Sequence, residues 1–314
     1  KYVLRHIGQA LDGARAPSAS AAALARPVLP GGFGGAGRAG EPRAGEPRVV
    51  VDLPDRLVLQ KPAGWEVPGN SDDQFVEAGE GRHLETSLEA LLPRRRYPIV
   101  ADRDSACGFL HRLDKPSSGL ILAAKTYEAY YDLQLQLHTG NLTRDYVAVS
   151  HGWWPAARRE LRGRVSWTKR SRLPSTIGRS GRPASTRVEA AAHAWYKGGA
   201  HSLLKLRIAT GRRHQIRVQT AHAGHPLAHD GKYAAIATLS TDRSWCPTNF
   251  LHRHRLRFQD ARGLWREASS PLPRNLAVAI SHLLPRDVAS AEAVGKWKDR
   301  RHSVAQVSVA RGRS

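Results

Sequence analysis

The pattern of residues along this chain reads as a single α+β domain built on a mostly antiparallel sheet, with helices flanking it. Three observations carry this reading. Short runs rich in Val, Leu and Ile, punctuated by Gly, Pro and Asp, recur through the middle of the chain and outnumber stretches of helical periodicity. Those runs do not alternate with helices in a βα rhythm, which argues against a parallel doubly wound sheet. At 314 residues and 41% hydrophobic content, the chain can bury a sizeable core.

Taken in order, residues 12–48 are rich in Ala, Gly, Pro and Arg and include the repeat GEPRAGEPR. This composition reads as a linker or disordered extension, and its Arg-rich, acid-poor character also resembles an organellar transit segment. The run at 32–37 fits the dinucleotide pattern GxGxxG, but no strand precedes it and a Pro-rich repeat follows, so the match is spurious. Order is expected from Val49, with strands over 49–53 and 57–62 and a turn at Pro62-Ala-Gly64. The apolar run 119–124 suits a buried strand. Thr126 can cap a helix in which Tyr127, Tyr131 and Leu135 share one stripe, and Gly140 stops it. Residues 144–149 alternate as a strand, with Tyr146 and Ala148 on one face and Val147 and Val149 on the other. A further strand at Leu204, Leu206 and Ile208 leads through Gly211 into a helix over about 213–223. The run 251–258 alternates again, with Leu256 and Phe258 facing the core, and from Arg286 onward the chain reads as a loose basic tail. The expected organisation is therefore an extension over 1–48, one domain over 49–285 and a tail over 286–314.

The charge balance narrows the partner. Lys and Arg number 49 against 27 acidic residues, for a formal net charge of +22. Such a surplus points to a polyanion, nucleic acid ahead of a membrane surface. Arginine dominates it, and its planar fork suits phosphates and base planes. Two cysteines, Cys107 and Cys246, cannot make a disulfide framework, so a reducing intracellular compartment is expected. Cys246 with His252 and His254 would be a poor zinc site, and three strand or loop residues is the better reading. No apolar run approaches a membrane span. There is no Met at any position, the first included, so the chain reads as a fragment or processed product.

The segment that carries chemistry is HRLDKPSSGLILAAK at 111–125. It sets Asp114 between Arg112 and Lys115, just before a Pro/Ser/Gly turn that feeds a buried strand. Nearby cations keep such a carboxylate ionised. Taken alone, a loop aspartate in a salt bridge would explain it as well.

This segment resembles the HRLDxxTSG signature of RluA-type pseudouridine synthases, with Ser117 where the family usually has Thr. The likeness continues in order. KPAG at 61–64 is similar to the family's KPxG turn, RDY at 144–146 to its KxY element and GRPAST at 181–186 to its GKxAxT stretch. TGRRHQIR at 210–217, GHP at 224–226, DGKY at 230–233, and Leu251-His252 with SPLP at 270–273 complete the series. The resemblance implies the pseudouridine synthase fold with a central RNA-binding cleft. It also implies isomerisation of uridine in ribosomal or transfer RNA, with no metal or other cofactor. By the same resemblance Asp114 is the catalytic carboxylate, acting at C1′ or on a sugar proton. Tyr146 stacks on the uracil and serves proton transfer at C5, and Arg217 forms the ion pair that holds Asp114. Arg112 fills the space left by the flipped nucleotide, and Lys61, Arg144, Arg212, His214 and Gln215 are expected to contact RNA.

Between the Tyr146 strand and the 210–233 block, ten Lys and Arg residues from Arg158 to Arg187 are accompanied by one acid, Glu160, with Trp153, Trp154 and Trp167 nearby. This is either an RNA-gripping insertion or a solvated loop whose tryptophans turn inward. The rival function is an RNA-binding protein that keeps the fold without turnover, and the retention of Asp114, Tyr146 and Arg217 argues against it. A monomer in the cytoplasm or in an organelle is expected, with the choice of compartment open.

Overall fold

A computed structural model of the chain describes residues 45–68, 82–168, 173–299 and 306–309. The glycine-rich run at 32–37, most of the expected extension, and Lys169, Arg170 and Arg172 lie outside the described residues. The strands are β1 (Arg48–Asp52), β2 (Arg56–Lys61), β3 (Trp65–Glu66), β4 (Arg82–His83), β5 (Ser118–Ala124), β6 (Thr143–His151) and β7 (Glu160–Ser166). They continue as β8 (Thr176–Gly178), β9 (Arg182–Tyr196), β10 (Gly199–Ile208), β11 (Leu251–Gln259), β12 (Trp265–Ser269), β13 (Leu284–Pro285) and β14 (Gln306–Val309). Among the described residues, six α-helices accompany them: α1 (Leu84–Leu91), α2 (Tyr127–Thr139), α3 (Gln215–His222), α4 (Ile236–Asp242), α5 (Arg274–Ser281) and α6 (Val288–Asp299).

The main sheet runs in the order β1-β2-β5-β11-β6-β10-β9-β7-β8, with β12 on β11, β13 on β9 and β14 on β12. Among the described residues, only the β5–β11 pairing within it is parallel. The chain thus has the α+β class expected from its strand-rich pattern. Gly119 makes the parallel junction feasible. Its φ is +127°, and a Cβ there would collide with the backbone of Arg253.

Alternation in β6 sends side chains to two cores. Val147 and Val149 join Ala192, Leu203, Phe250 and the inner faces of α5 and α6. Tyr146 and Ala148 face the opposite way, with Leu204, Leu206, Ile216 and Trp154. A third cluster packs α1 and α2 against β1, β2 and β5. Thr126 caps α2 by accepting a hydrogen bond from the amide of Ala129 at 3.2 Å, and Gly140 closes it with φ +80°. The buried face of α2 is not the expected stripe, however. Ala129, Tyr130 and Leu133 face inward, while Tyr131 and Leu135 stay exposed.

Two further expectations are corrected. The region beyond Arg286 is not a loose tail: α6 buries Val294 and Trp297 against α5, and the short β13 just before it pairs with β9. A few apolar residues at helical spacing suffice when a preformed groove receives them. The basic stretch is likewise not a plain loop, because β7, β8 and β9 extend the sheet through it. Leu161 and Val165 point inward while Arg162 and Arg164 point out, a period-2 pattern that the arginines mask. Trp154 is fully buried, and Trp153 packs against Trp195 and Arg286. Trp167 stands at the cleft, beneath Arg182.

Candidate active site

The cleft opens where the turn before β5, the strand β6 and the segment entering α3 converge. It encloses about 500 Å³ and is lined by Asp114, Tyr146 and six arginines, namely Arg112, Arg144, Arg182, Arg212, Arg213 and Arg253. Asp114 is the sole acid among the described residues of this lining.

Asp114 is held by its turn, in which Ser117 N–H donates to the Asp114 carbonyl at 3.0 Å. The expected KPAG turn braces it from below, with Gly64 N–H donating to the Lys115 carbonyl at 2.7 Å. Lys115 does not face Asp114 but pairs with Glu66 at 2.8 Å, so Arg112 is the sequence neighbour that reaches the carboxylate electrostatically. Burial pushes the Asp114 carboxyl up, but His214, Arg217 and Arg112 outweigh it and hold the group well below the usual carboxylate range. His214 is itself lowered to about 4, chiefly by burial, so near neutral pH it is uncharged and the two arginines supply the field.

Arg217 reaches Asp114 as expected, its Nη1 donating to Oδ2 at 3.3 Å. Its stronger partner is another residue. Nε and Nη2 grip the two carboxylate oxygens of Asp230 at 2.8 and 2.7 Å, and Asp230 is fully buried. The planar fork is thus anchored on Asp230, and one remaining nitrogen is presented to Asp114. Tyr233, from the same DGKY segment, lies under the guanidinium with 5.3 Å to the ring centre, and its hydroxyl pairs with His214 Nδ1 at 2.9 Å.

Tyr146 is buried in the floor of the cleft, 3% exposed. Its hydroxyl accepts from Arg253 Nε at 2.8 Å and also from Arg253 Nη2. Arg253 is in turn fixed by the carbonyls of Leu120 and Arg112, at 3.1 and 2.9 Å, and by His111 Nδ1 at 2.7 Å. Burial and the neighbouring arginines press His111 well below its ordinary value, so this imidazole accepts from the guanidinium.

Arg253, Asp230, Tyr233 and His111 were not singled out as site residues from the sequence. Asp230 and Tyr233 lay in a quoted motif without a role. Arg253 carried no local signal: it is one arginine in an alternating basic strand. A bulge between Arg253 and Arg255 brings it opposite Tyr146, while Arg255 comes opposite Asp145.

The expected RNA contacts divide. Arg112 and Arg212 are partly exposed on the cleft wall, and Arg212 Nε donates to the Pro183 carbonyl at 2.9 Å. Arg144 is 3% exposed, donates to the Ala209 carbonyl at 3.2 Å and is lowered by burial to about 10. Lys61 does not line the cleft. It is fully buried, lowered by burial to about 7, and donates to the carbonyls of Pro62 and Trp65, which makes it a strut for the turn under Asp114. Gln215 is also taken up internally, accepting from Thr210 and the Arg212 amide while donating to Ser185 and Thr186. Both corrections have one cause: a buried polar side chain must meet its hydrogen-bonding needs locally, which leaves nothing to offer RNA.

Comparison with known proteins bears on the family and the fold. The sequence pattern described as RNA pseudouridylate synthase matches residues 55–222. Ribosomal large subunit pseudouridine synthase D of Vibrio parahaemolyticus is 34% identical over 250 residues, covering 76% of this chain and 71% of that protein. The protein of the same description from Yersinia pestis is 34% identical over 247 residues, covering 75% and 70%. Among solved structures, human RNA Pseudouridylate Synthase Domain Containing 1 superposes with a TM-score of 0.55 at 22% identity, over 79% of this chain and 94% of that one. Human RNA Pseudouridylate Synthase Domain Containing 4 gives 0.53 at 17% identity, over 75% and 93%. These likenesses to solved structures bear on the fold. With a family match over more than half of its length and relatives a third identical across three-quarters of it, this chain belongs to the RNA pseudouridylate synthase family and is of the RluA type.

Proposed function

We propose that Asp114 carries the isomerisation of uridine to pseudouridine, with Tyr146 and Arg217 beside it, on large-subunit ribosomal RNA. The observation that supports this reading most strongly is a lone ionised carboxylate in a cleft whose lining also carries six arginines. In the reaction the C1′–N1 bond breaks, the freed uracil turns, and C5 bonds to C1′. The C5 proton then leaves and N1 gains one, so atoms balance without a co-substrate. Asp114 serves either by adding to C1′ or by taking a sugar proton, and each route needs a single anionic carboxylate. Paired carboxylates, as glycoside hydrolases use, are absent from the described lining. Tyr146 presents its ring to the uracil and serves the proton transfer at C5. Arg217 aims the Asp114 carboxylate, and Arg112 takes the place of the extruded nucleotide, where its planar guanidinium offsets part of the unstacking cost.

The ribosomal assignment rests on the relatives described as large-subunit enzymes. The chain acts as a monomer, in whichever of cytoplasm or organelle holds that RNA. Among the described residues, no helix is long and apolar enough to cross a membrane. The test has two parts. Asp114→Asn keeps the side chain's shape and removes its charge, and is expected to abolish pseudouridine formation with RNA affinity within a few-fold of wild type. Residual turnover at a tenth of the normal rate would remove Asp114 from the chemistry. Mapping carbodiimide-reactive uridines with and without the gene then assigns the substrate. Loss confined to transfer RNA would overturn the ribosomal reading alone.

A further inference from the structure

Away from the cleft, the end of β6, the start of β10 and the C-terminal end of α4 bring His151, His201 and Asp242 together. One donor atom from each lies within 4.8 Å of the others. We infer that these three side chains form a site for a divalent transition metal, zinc foremost, which ties α4 to the two strands.

The case rests on unmet lone pairs. His201 is 4% exposed and its Nδ1 is engaged with the Gly199 carbonyl at 3.0 Å. That contact places the proton on Nδ1 and leaves Nε2 as a bare acceptor, with no hydrogen-bond partner among the described residues. Asp242 is 1% exposed. Its Oδ2 receives His151 Nε2 at 2.9 Å and the His229 amide at 2.7 Å, while Oδ1 has no partner among the described residues. Two buried acceptors cannot satisfy each other; only a donor or a cation can. A metal ion satisfies both acceptors at once.

The donor chemistry fits. Two imidazoles and a carboxylate are a common first set for zinc, with a fourth position for water. His201 already has the arrangement that ligating histidines use, its distal N–H held by a backbone carbonyl. His151, at 21% side-chain exposure, gives the route to solvent. Binding requires His151 to exchange its hydrogen bond to Asp242 for the ion and the three donors to close in. The chain between His151 and Asp242 includes Asp230, the anchor of Arg217, but the site itself is separate from the cleft lining.

The test uses the full chain, stripped with chelator and titrated with Zn²⁺, and with Co²⁺ as a spectroscopic probe. The expected result is one equivalent bound and a melting temperature raised by about 5 °C at an excess of roughly a hundred times the Kd. The Co²⁺ spectrum should show tetrahedral bands without thiolate charge transfer. His201→Gln is expected to melt like the wild type without metal, and to lose the zinc-dependent rise. X-ray absorption at the zinc edge of the wild-type protein reads the ligands directly, so the inference does not depend on that variant folding. Absence of saturable binding, an equal zinc response in His201→Gln, or sulfur in the coordination shell would each overturn it.

Discussion

Replacing Arg217 by Ala separates two roles that this residue performs at once. Its Nη1 lies 3.3 Å from Asp114 Oδ2, and the guanidinium is 3% exposed. At an effective dielectric of about 20, a pair at that distance is worth about 5 kcal/mol, more than three pKa units at about 1.4 kcal/mol each. Water entering the vacated space screens part of this, so the Asp114 carboxyl should rise by about two units. Its pKa in the folded protein lies below that in the unfolded chain. The pair therefore stabilises above about pH 4, and that contribution is lost as pH falls through the folded value. In the variant, the acid limb of the single-turnover rate should move up by the same two units. Near neutral pH Asp114 remains ionised, so loss there reflects aim rather than charge. A displacement on the order of 1 Å costs about a hundredfold in turnover. Asp230, fully buried, loses its fork as well, and breaking a buried pair costs about 3–5 kcal/mol, roughly 6–20 °C in melting temperature. Carbodiimide primer extension under single-turnover conditions across pH, a binding isotherm and a thermal melt read the three effects separately. Arg217→Lys should recover part of the rate, because one ammonium cannot hold Asp230 as a fork does. An unmoved acid limb and normal turnover on bound RNA, with a collapsed affinity, would refute this reasoning and make Arg217 a phosphate clamp.

Three further outcomes are expected. Arg253→Gln removes the fork on the Tyr146 hydroxyl and should lower turnover by about ten- to a hundredfold with RNA affinity nearly unchanged, since the residue is 1% exposed; a fall in affinity alone would show that it acts on RNA instead. Neutralising the exposed Arg164, Arg179 and Arg182 together should flatten the salt dependence of binding by up to about two units of log–log slope. An unchanged slope would mean that this face does not meet the phosphate backbone. Gly119→Ala should lower the melting temperature sharply or prevent folding, because its Cβ meets the Arg253 backbone; a melt within a degree or two of wild type would mean that β5 and β11 can part without cost.

Whatever depends on local pattern could be read from the order of residues alone. The strand-rich α+β class, the two faces of β6, the Thr126 cap and the Gly140 stop all follow from periodicity and from the stereochemistry of a few side chains. Motif order was enough to identify the family and to nominate Asp114, Tyr146 and Arg217. What it could not supply was who partners whom across long separations. Lys61 and Gln215 read as cations and polar groups available to RNA until burial commits their donors to carbonyls and hydroxyls nearby. The stripe expected on α2 failed because the face that docks is chosen by the surface it meets, and the same reason gives α6 a core that its own composition hardly advertises. Asp230 takes the fork of Arg217, and Arg253 takes the hydroxyl of Tyr146, only after a sheet register and a bulge bring them within hydrogen-bonding distance. The identity of a charged side chain is written locally, but its partner is decided by the energetic need to pair every buried charge once the chain has folded around it.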